Sequence, residues 1–140
     1  QYGNVLIKGF SRDGFKQSLH NTNGVICNAG FELASEALSL GRKIMVKPLK
    51  GQMEQASNAL ALKQLGLGFA TTDINAKSIR HFLDNATLQR IHYPDVAELL
   101  AQWLHKYPQE SLTTLVDRAW QGVDLPAYGA GDSDRIPMVS

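Results

Sequence analysis

Apolar positions along this chain alternate between two spacings, and the switch between them divides it into elements. Val5-Leu6-Ile7, Val25-Ile26-Cys27 and Ile44-Met45-Val46 are continuous apolar bursts, and Gly68-Phe69-Ala70 is a weaker one. Short runs of this kind, bounded by glycine, proline and polar residues, predict strands covered on both faces. Between them the apolar residues spread to helical spacing. That spacing predicts helices over Ser11 to His20, from about Phe31 to Leu40, and from about Met53 to Leu65. Gly41 and Gly66 stand just past the second and third of these, where a helix terminus favours glycine. Asp73 is the expected N-cap of a further helix beginning near Asn75. Strands separated by helices of about ten residues predict βαβ units, hence an α/β fold with a parallel sheet.

Beyond about residue 72 the pattern is helical only. Val96, Leu99, Leu100, Trp103 and Leu104 fall at i, i+3, i+4, i+7 and i+8, and Leu112, Leu115, Val116, Ala119 and Trp120 repeat that spacing. Two amphipathic helices are expected, Asp95 to Leu104 and Ser111 to Trp120, packed on the sheet or on each other. Trp103 and Trp120 are expected as their packing anchors. The two stripes share nothing else and are not a repeat. Residues 1–120 are therefore expected to form one domain. Residues 121–140, rich in Gly, Pro, Asp and Ser, are expected to form an irregular or mobile tail.

Composition narrows the classes. A hydrophobic share of 44% with 19% charged residues excludes wholesale disorder. Lys+Arg 14 against Asp+Glu 13 leaves +1, so no basic excess argues for nucleic acid. The single cysteine, Cys27, excludes a disulfide framework and points to a reducing, cytoplasmic setting. It ends an apolar strand and is expected to pack rather than react. No apolar run approaches the roughly 20 residues that span a bilayer, and the opening residues do not have the form of a signal peptide. His20, His81, His92 and His105 share no metal-ligand spacing, so no metal and no cofactor are expected.

The stretch carrying chemistry runs from Gly24 to Asn58. Its first strand leads through Asn28-Ala29-Gly30 directly into a helix. In an open parallel sheet, ligands sit beyond the carboxyl ends of the strands. A helix N-terminus there offers free N–H groups and about +0.5 of partial charge, suited to a phosphate. Gly30 allows either close backbone approach or a positive φ. Glu36 lies roughly 8 Å along the helix at 1.5 Å per residue. That is too deep to hold a phosphate and suited to ribose hydroxyls beside one. Glu32, one turn earlier, reads first as an acid favourable to the helix dipole. The next strand opens into Lys47-Pro48-Leu49-Lys50 and Gly51-Gln52-Met53-Glu54-Gln55, then Asn58. Gln52, Glu54 and Gln55 carry groups that match sugar hydroxyls, and equally those of a polar loop before a helix. Lys43, Lys47 and Lys50 serve either to screen a diphosphate or as a solvated loop edge.

Asn28-Ala29-Gly30-Phe31-Glu32-Leu33-Ala34-Ser35-Glu36-Ala37-Leu38-Ser39-Leu40-Gly41, then Val46-Lys47-Pro48 and Gly51-Gln52-Met53-Glu54-Gln55-Ala56-Ser57-Asn58-Ala59, resembles the donor-binding half of GT-B glycosyltransferases. It is similar to the branch containing the N-acetylglucosaminyltransferase of peptidoglycan synthesis and, more distantly, the UDP-glucuronosyltransferases. The likeness covers about residues 5 to 70, roughly half the chain, and rests on an ordered set of motifs. It implies a Rossmann-like sheet, a UDP-sugar donor as substrate, and hexosyl transfer to an acceptor hydroxyl. It also implies a donor site made of Asn28, Ala29, Gly30, Phe31, Glu32, Glu36, Gln52, Glu54, Gln55 and Asn58. Backbone groups at Gly30 and Phe31 would face the diphosphate, Glu36 would hold the ribose, and Glu54, Gln55 and Asn58 match the residues at the transferred sugar. Asn28 departs from the pattern, standing where relatives often carry histidine or a basic residue.

The resemblance also implies what to look for beyond these residues. In that family two strands precede the position of Val5-Leu6-Ile7, and a separate N-terminal half supplies the acceptor site and the catalytic base. The chain opens at Gln1-Tyr2-Gly3 and not at methionine, so a piece of a longer enzyme is expected, inactive alone, with no catalytic residue of its own. Its partners would be the donor, the N-terminal domain of the same parent, and further copies through unpaired strand edges. Membrane contact would belong to the parent alone. Two alternatives stay open: a fragment of a nucleotide-sugar epimerase, and a non-catalytic nucleotide-binding or regulatory module.

Overall fold

The computed structural model describes residues 3–121 and 123. The chain divides into two compact units, Gln1–His92 and Tyr93–Ser140. The first carries α1 (Arg12–Asn21), β1 (Gly24–Cys27), α2 (Phe31–Ser39), β2 (Lys43–Val46), α3 (Met53–Gln64), β3 (Phe69–Ala70) and α4 (Ala76–Asn85). The three strands form one sheet in the order β1-β2-β3, each pair parallel. Parallel neighbours cannot be joined by a hairpin, so α2 and α3 serve as the crossovers. Val25 pairs with Ile44, Cys27 with Val46, and Val46 in turn with Ala70. This register ends the strands at a common carboxyl edge. The result is the α/β, Rossmann-like parallel sheet expected from the alternation of strands and helices.

Both crossover helices stop by the same device. Gly41 has φ +66° and Gly66 has φ +67°, a left-handed conformation that costs any side chain. The Gly41 N–H then donates to Leu38 and the Arg42 N–H to Ala37, at 3.0 and 2.8 Å. Gly66 and Leu67 repeat this onto Lys63 and Leu62, at 3.1 and 2.9 Å. Each turn consumes carbonyls that the helix end would leave bare. The chain thus reverses within three residues after α2 and four after α3 and enters the next strand.

The core is centred on β2. Ile44, Met45 and Val46 are all essentially inaccessible, and successive strand residues face opposite sides, so β2 is covered on both faces. On one face Met45 meets Phe82 and Ala86, with Ile79 and Phe69 packed around them. Phe69 stands edge-on to Phe82 with ring centroids 6.0 Å apart. From α2 and α3 come the buried Ala34, Ala37, Leu38, Ala59 and Leu62. A strap after α4 closes the unit: Ile91 is buried and donates its N–H to Leu38 at 3.2 Å, while Arg90 Nε donates to the Ser39 carbonyl at 3.1 Å.

Three expectations need correction. Val5-Leu6-Ile7 is not a strand: Val5 makes an isolated bridge, the residues after it have no regular structure, and Leu6 and Ile7 are exposed. Strand-forming residues hold a strand only when an edge pairs with them, and the sheet of described residues contains only β1, β2 and β3. The N-cap of α4 is Asn75 and not Asp73. The Asn75 side chain accepts from the N–H groups of Lys77 and Ser78 at 3.0 Å, and Ser78 Oγ accepts from the Asn75 N–H at 3.0 Å. Asp73 offers only its backbone carbonyl there, to Ser78 Oγ at 2.8 Å. Asn75→Ala is expected to destabilise the first unit by about 0.5–2 kcal/mol, measured as a lower midpoint in urea, with Asp73→Ala near neutral.

The third correction concerns the second unit, which contains α5 (Val96–Lys106) and α6 (Leu112–Gln121). Asp95 caps α5 by accepting from the Glu98 N–H at 2.9 Å. The helices pack on each other through a polar lock. Arg118 donates to Glu110 at 3.1 Å and to Gln102 at 2.9 Å, and Trp103 Nε1 donates to the Glu110 carbonyl at 2.9 Å. Trp103 is thus the anchor expected of it, whereas Trp120 is exposed. Spacing alone places Trp120 on an apolar stripe and cannot say whether anything covers that stripe. Of the expected tail, Gln121 closes α6 and Val123 follows. The rest lies outside the described residues.

Candidate functional site

The carboxyl edge of the sheet gathers the residues that the sequence singled out. β1 runs out at Cys27, whose carbonyl accepts the last ladder bond from the Lys47 N–H at 2.9 Å. Asn28 is exposed, Ala29 is fully buried, and Gly30 is the N-cap of α2. Glycine has no side chain to satisfy the first-turn N–H groups, and no side-chain bond caps this helix. The N-terminus of α2 therefore presents bare donors at the strand ends.

Gly30 itself is informative. Its φ of −71° and ψ of 143° are ordinary for any residue, so of glycine's two uses the positive φ is not the one employed here. A Cβ at Gly30 would meet nothing within 4 Å. Neither backbone strain nor internal packing asks for glycine at this position. What remains is room over the helix terminus, which a side chain would take away.

Along α2, Phe31, Glu32 and Glu36 are exposed. Glu32 and Glu36 are four apart and share a helix face. No side chain among the described residues hydrogen-bonds or pairs with the Glu36 carboxylate; beyond the helix ladder the residue is engaged at its carbonyl, by the Leu40 N–H and Ser39 Oγ.

The second loop leaves β2 at Val46. Leu49, Lys50, Gly51 and Gln52 form a turn closed by the Gln52 N–H on the Leu49 carbonyl at 3.2 Å. Gly51, with φ +84°, supplies the left-handed residue that this turn needs. Gln55 reaches back from α3, its Oε1 accepting from the Leu49 N–H at 3.0 Å. Gln52 and Glu54 are exposed, and Gln52 is the N-cap of α3 without a side-chain cap bond. Asn58 is half-buried, and its Nδ2 donates to the carbonyl of Ala29 at 3.0 Å. The structure therefore brings Asn58 to the first loop and turns Gln55 onto its own loop. It leaves Glu54 and Gln52 facing solvent.

A cleft of about 760 Å³ opens on the β3 side of the second loop, between residues 47–53 and Thr72-Asp73. Of the expected site residues only Gln52 lines it; Lys47, Lys50, Thr72 and Asp73 line it as well. Sequence reasoning placed the two lysines nearby and gave Thr72 and Asp73 no such part. The signal available was their position immediately past the last strand, at the edge where ligands of parallel sheets sit.

Cys27, half-buried below this edge, has its thiol pKa raised by burial. It stays protonated at neutral pH and is a poor nucleophile, in keeping with a packing role. Among the described residues no three His, Cys, Asp or Glu side chains group as metal ligands, and no helix is long and apolar enough to cross a membrane.

Among known protein families, a model described as Glycosyl transferase family 1 matches residues 1–87, a span containing the sheet and both loops. No curated protein and no solved structure matches the chain.

Proposed function

Because the chain belongs to Glycosyl transferase family 1, we propose that its first unit binds the UDP-sugar donor of a hexosyltransferase, of the branch that includes the peptidoglycan N-acetylglucosaminyltransferase. The observation that carries this is Gly30: an uncapped helix N-terminus at the sheet's carboxyl edge, kept clear by a glycine that the fold itself does not require. The donor diphosphate takes the N–H groups of Gly30 and Phe31, and the α2 dipole favours the charge that builds on it as the sugar leaves. Backbone donors need no bulk basicity, in keeping with a net charge of +1. The Glu36 carboxylate, without a protein partner among the described residues, accepts from the ribose hydroxyls. Glu54 stands at the first turn of α3 beside the transferred sugar. No described residue is assigned as catalytic base; the acceptor hydroxyl is activated by a group outside them, and these residues alone do not turn over substrate.

Titration of the chain with UDP in a calorimeter tests this. Saturable binding is expected, and Glu36→Ala should weaken it by about 1–3 kcal/mol through loss of charge-assisted hydrogen bonds. Unchanged affinity in that variant removes Glu36 from the ribose. Absence of any UDP binding by the wild-type chain removes the donor site.

A further inference from the structure

We infer that Asn58 is a positioning residue: its carboxamide pins the Ala29 carbonyl and so sets the direction in which the Gly30 and Phe31 N–H groups point. The inference rests on the donor-site assignment for its functional consequence, and on geometry for the clamp itself.

The need for the clamp follows from where the ladder stops. β1 and β2 exchange hydrogen bonds only as far as Cys27, whose carbonyl takes the Lys47 N–H. Ala29 lies two residues further on and is completely buried. A buried carbonyl beyond the end of its ladder must find another donor or forfeit its solvation. No strand can supply one there. Asn58 does, from the second turn of α3, with Nδ2 3.0 Å from the Ala29 oxygen. Only the amide end of the carboxamide can donate to a carbonyl, so the side chain's orientation is fixed by the bond.

The consequence passes along two peptide units. Pinning the Ala29 carbonyl fixes the plane of the Ala29–Gly30 peptide, because the unit is planar, and that peptide carries the Gly30 N–H. The Phe31 N–H follows through a residue with no side chain to restrain it. Gly30 has nothing within 4 Å of its Cβ position, so no side-chain contact at Gly30 itself adds to that hold. Among the described residues, the Asn58 bond is the only side-chain hydrogen bond between the segment after β1 and α3. It ties the first loop to the helix that follows the second. Gln55 performs the matching task within the second loop, holding the Leu49 N–H. Asn58 and Gln55 thereby both hold backbone in place.

The test compares wild type, Asn58→Ala and Asn58→Asp by UDP calorimetry and by amide NMR, reading chemical shifts and hydrogen exchange. Aspartate keeps the size of asparagine, but at neutral pH its carboxylate cannot donate to a carbonyl. Both variants should bind UDP about tenfold or more weakly at pH 7, with displaced Gly30 and Phe31 amide resonances and unchanged exchange at Met45 in the core. As pH falls toward 4, the carboxyl group introduced by Asn58→Asp takes up a proton and regains a donor. The affinity of that variant relative to wild type should then recover, while that of Asn58→Ala does not. In wild type the Asn58 side-chain amide should itself be protected from exchange, a reading that needs no variant to fold. Wild-type affinity and unmoved Gly30 and Phe31 resonances in both variants would overturn the inference, as would a freely exchanging Asn58 amide in wild type. Should the wild-type chain not bind UDP at all, the donor-site assignment falls, and the NMR measurements alone then uphold or overturn the clamp.

Discussion

Phe82→Ala is expected to destabilise the first unit by about 3–5 kcal/mol, the usual cost of deleting a buried aromatic ring. The ring is 2% exposed and packs on Met45 and Phe69. It also reaches past β2 to β1: the Cβ position of Gly24 lies 3.2 Å from its Cζ. One side chain from α4 thus bears on all three strands, and the hole left by alanine would sit where the sheet is most completely covered. Domains of this size are stable by only about 5–15 kcal/mol, so the urea midpoint should drop sharply. Leu83→Ala is the control, since Leu83 is one residue away and 61% exposed; it should shift stability by no more than about 0.5 kcal/mol. Equal effects from the two would mean that α4 is not seated on the sheet as described.

Gly30→Val is expected to separate folding from binding. Valine is at ease with φ −71° and ψ 143°, and open space receives its side chain. Loss of a favourable N-cap should cost at most about 1 kcal/mol. The same side chain would stand where the diphosphate approaches the α2 terminus. UDP affinity should fall by about a hundredfold, or 2.7 kcal/mol, with the thermal midpoint nearly unchanged. Undiminished affinity would move the phosphate away from this helix. The control in the opposite sense is Gly66→Val, where φ is +67°: it strains the turn that ends α3 and should lower stability.

How much of this was legible in the amino-acid order depends on distance along the chain. β1, β2 and the crossover helices could be read because their signals are local. An apolar burst, a helical stripe and a terminating glycine each lie within a dozen residues of the feature they specify. The Asn28 to Phe31 turn was legible for the same reason, being the junction of a strand and a helix that adjoin in sequence. The pairing of Asn58 with Ala29 was not, because it spans 29 residues and exists only once β1, α2, β2 and α3 are stacked. Thr72 and Asp73 likewise join the cleft beside Lys47 and Lys50 only because β3 pairs with β2.

Val5-Leu6-Ile7 and Trp120 show the converse. Their residue types carry a strand signal and a packing signal, yet burial is conferred by a neighbour, and no propensity encodes whether the neighbour is there. Periodicity and turn chemistry therefore determined by themselves that this chain makes parallel α/β units with a glycine-led helix start after the first strand. Tertiary structure decided which strand lies at the centre, which carbonyl Asn58 must satisfy, and that Gly30 is spared by the fold. Those outcomes depend on hydrogen bonds and contacts between segments remote in sequence, whose energies appear only when the chain has closed upon itself.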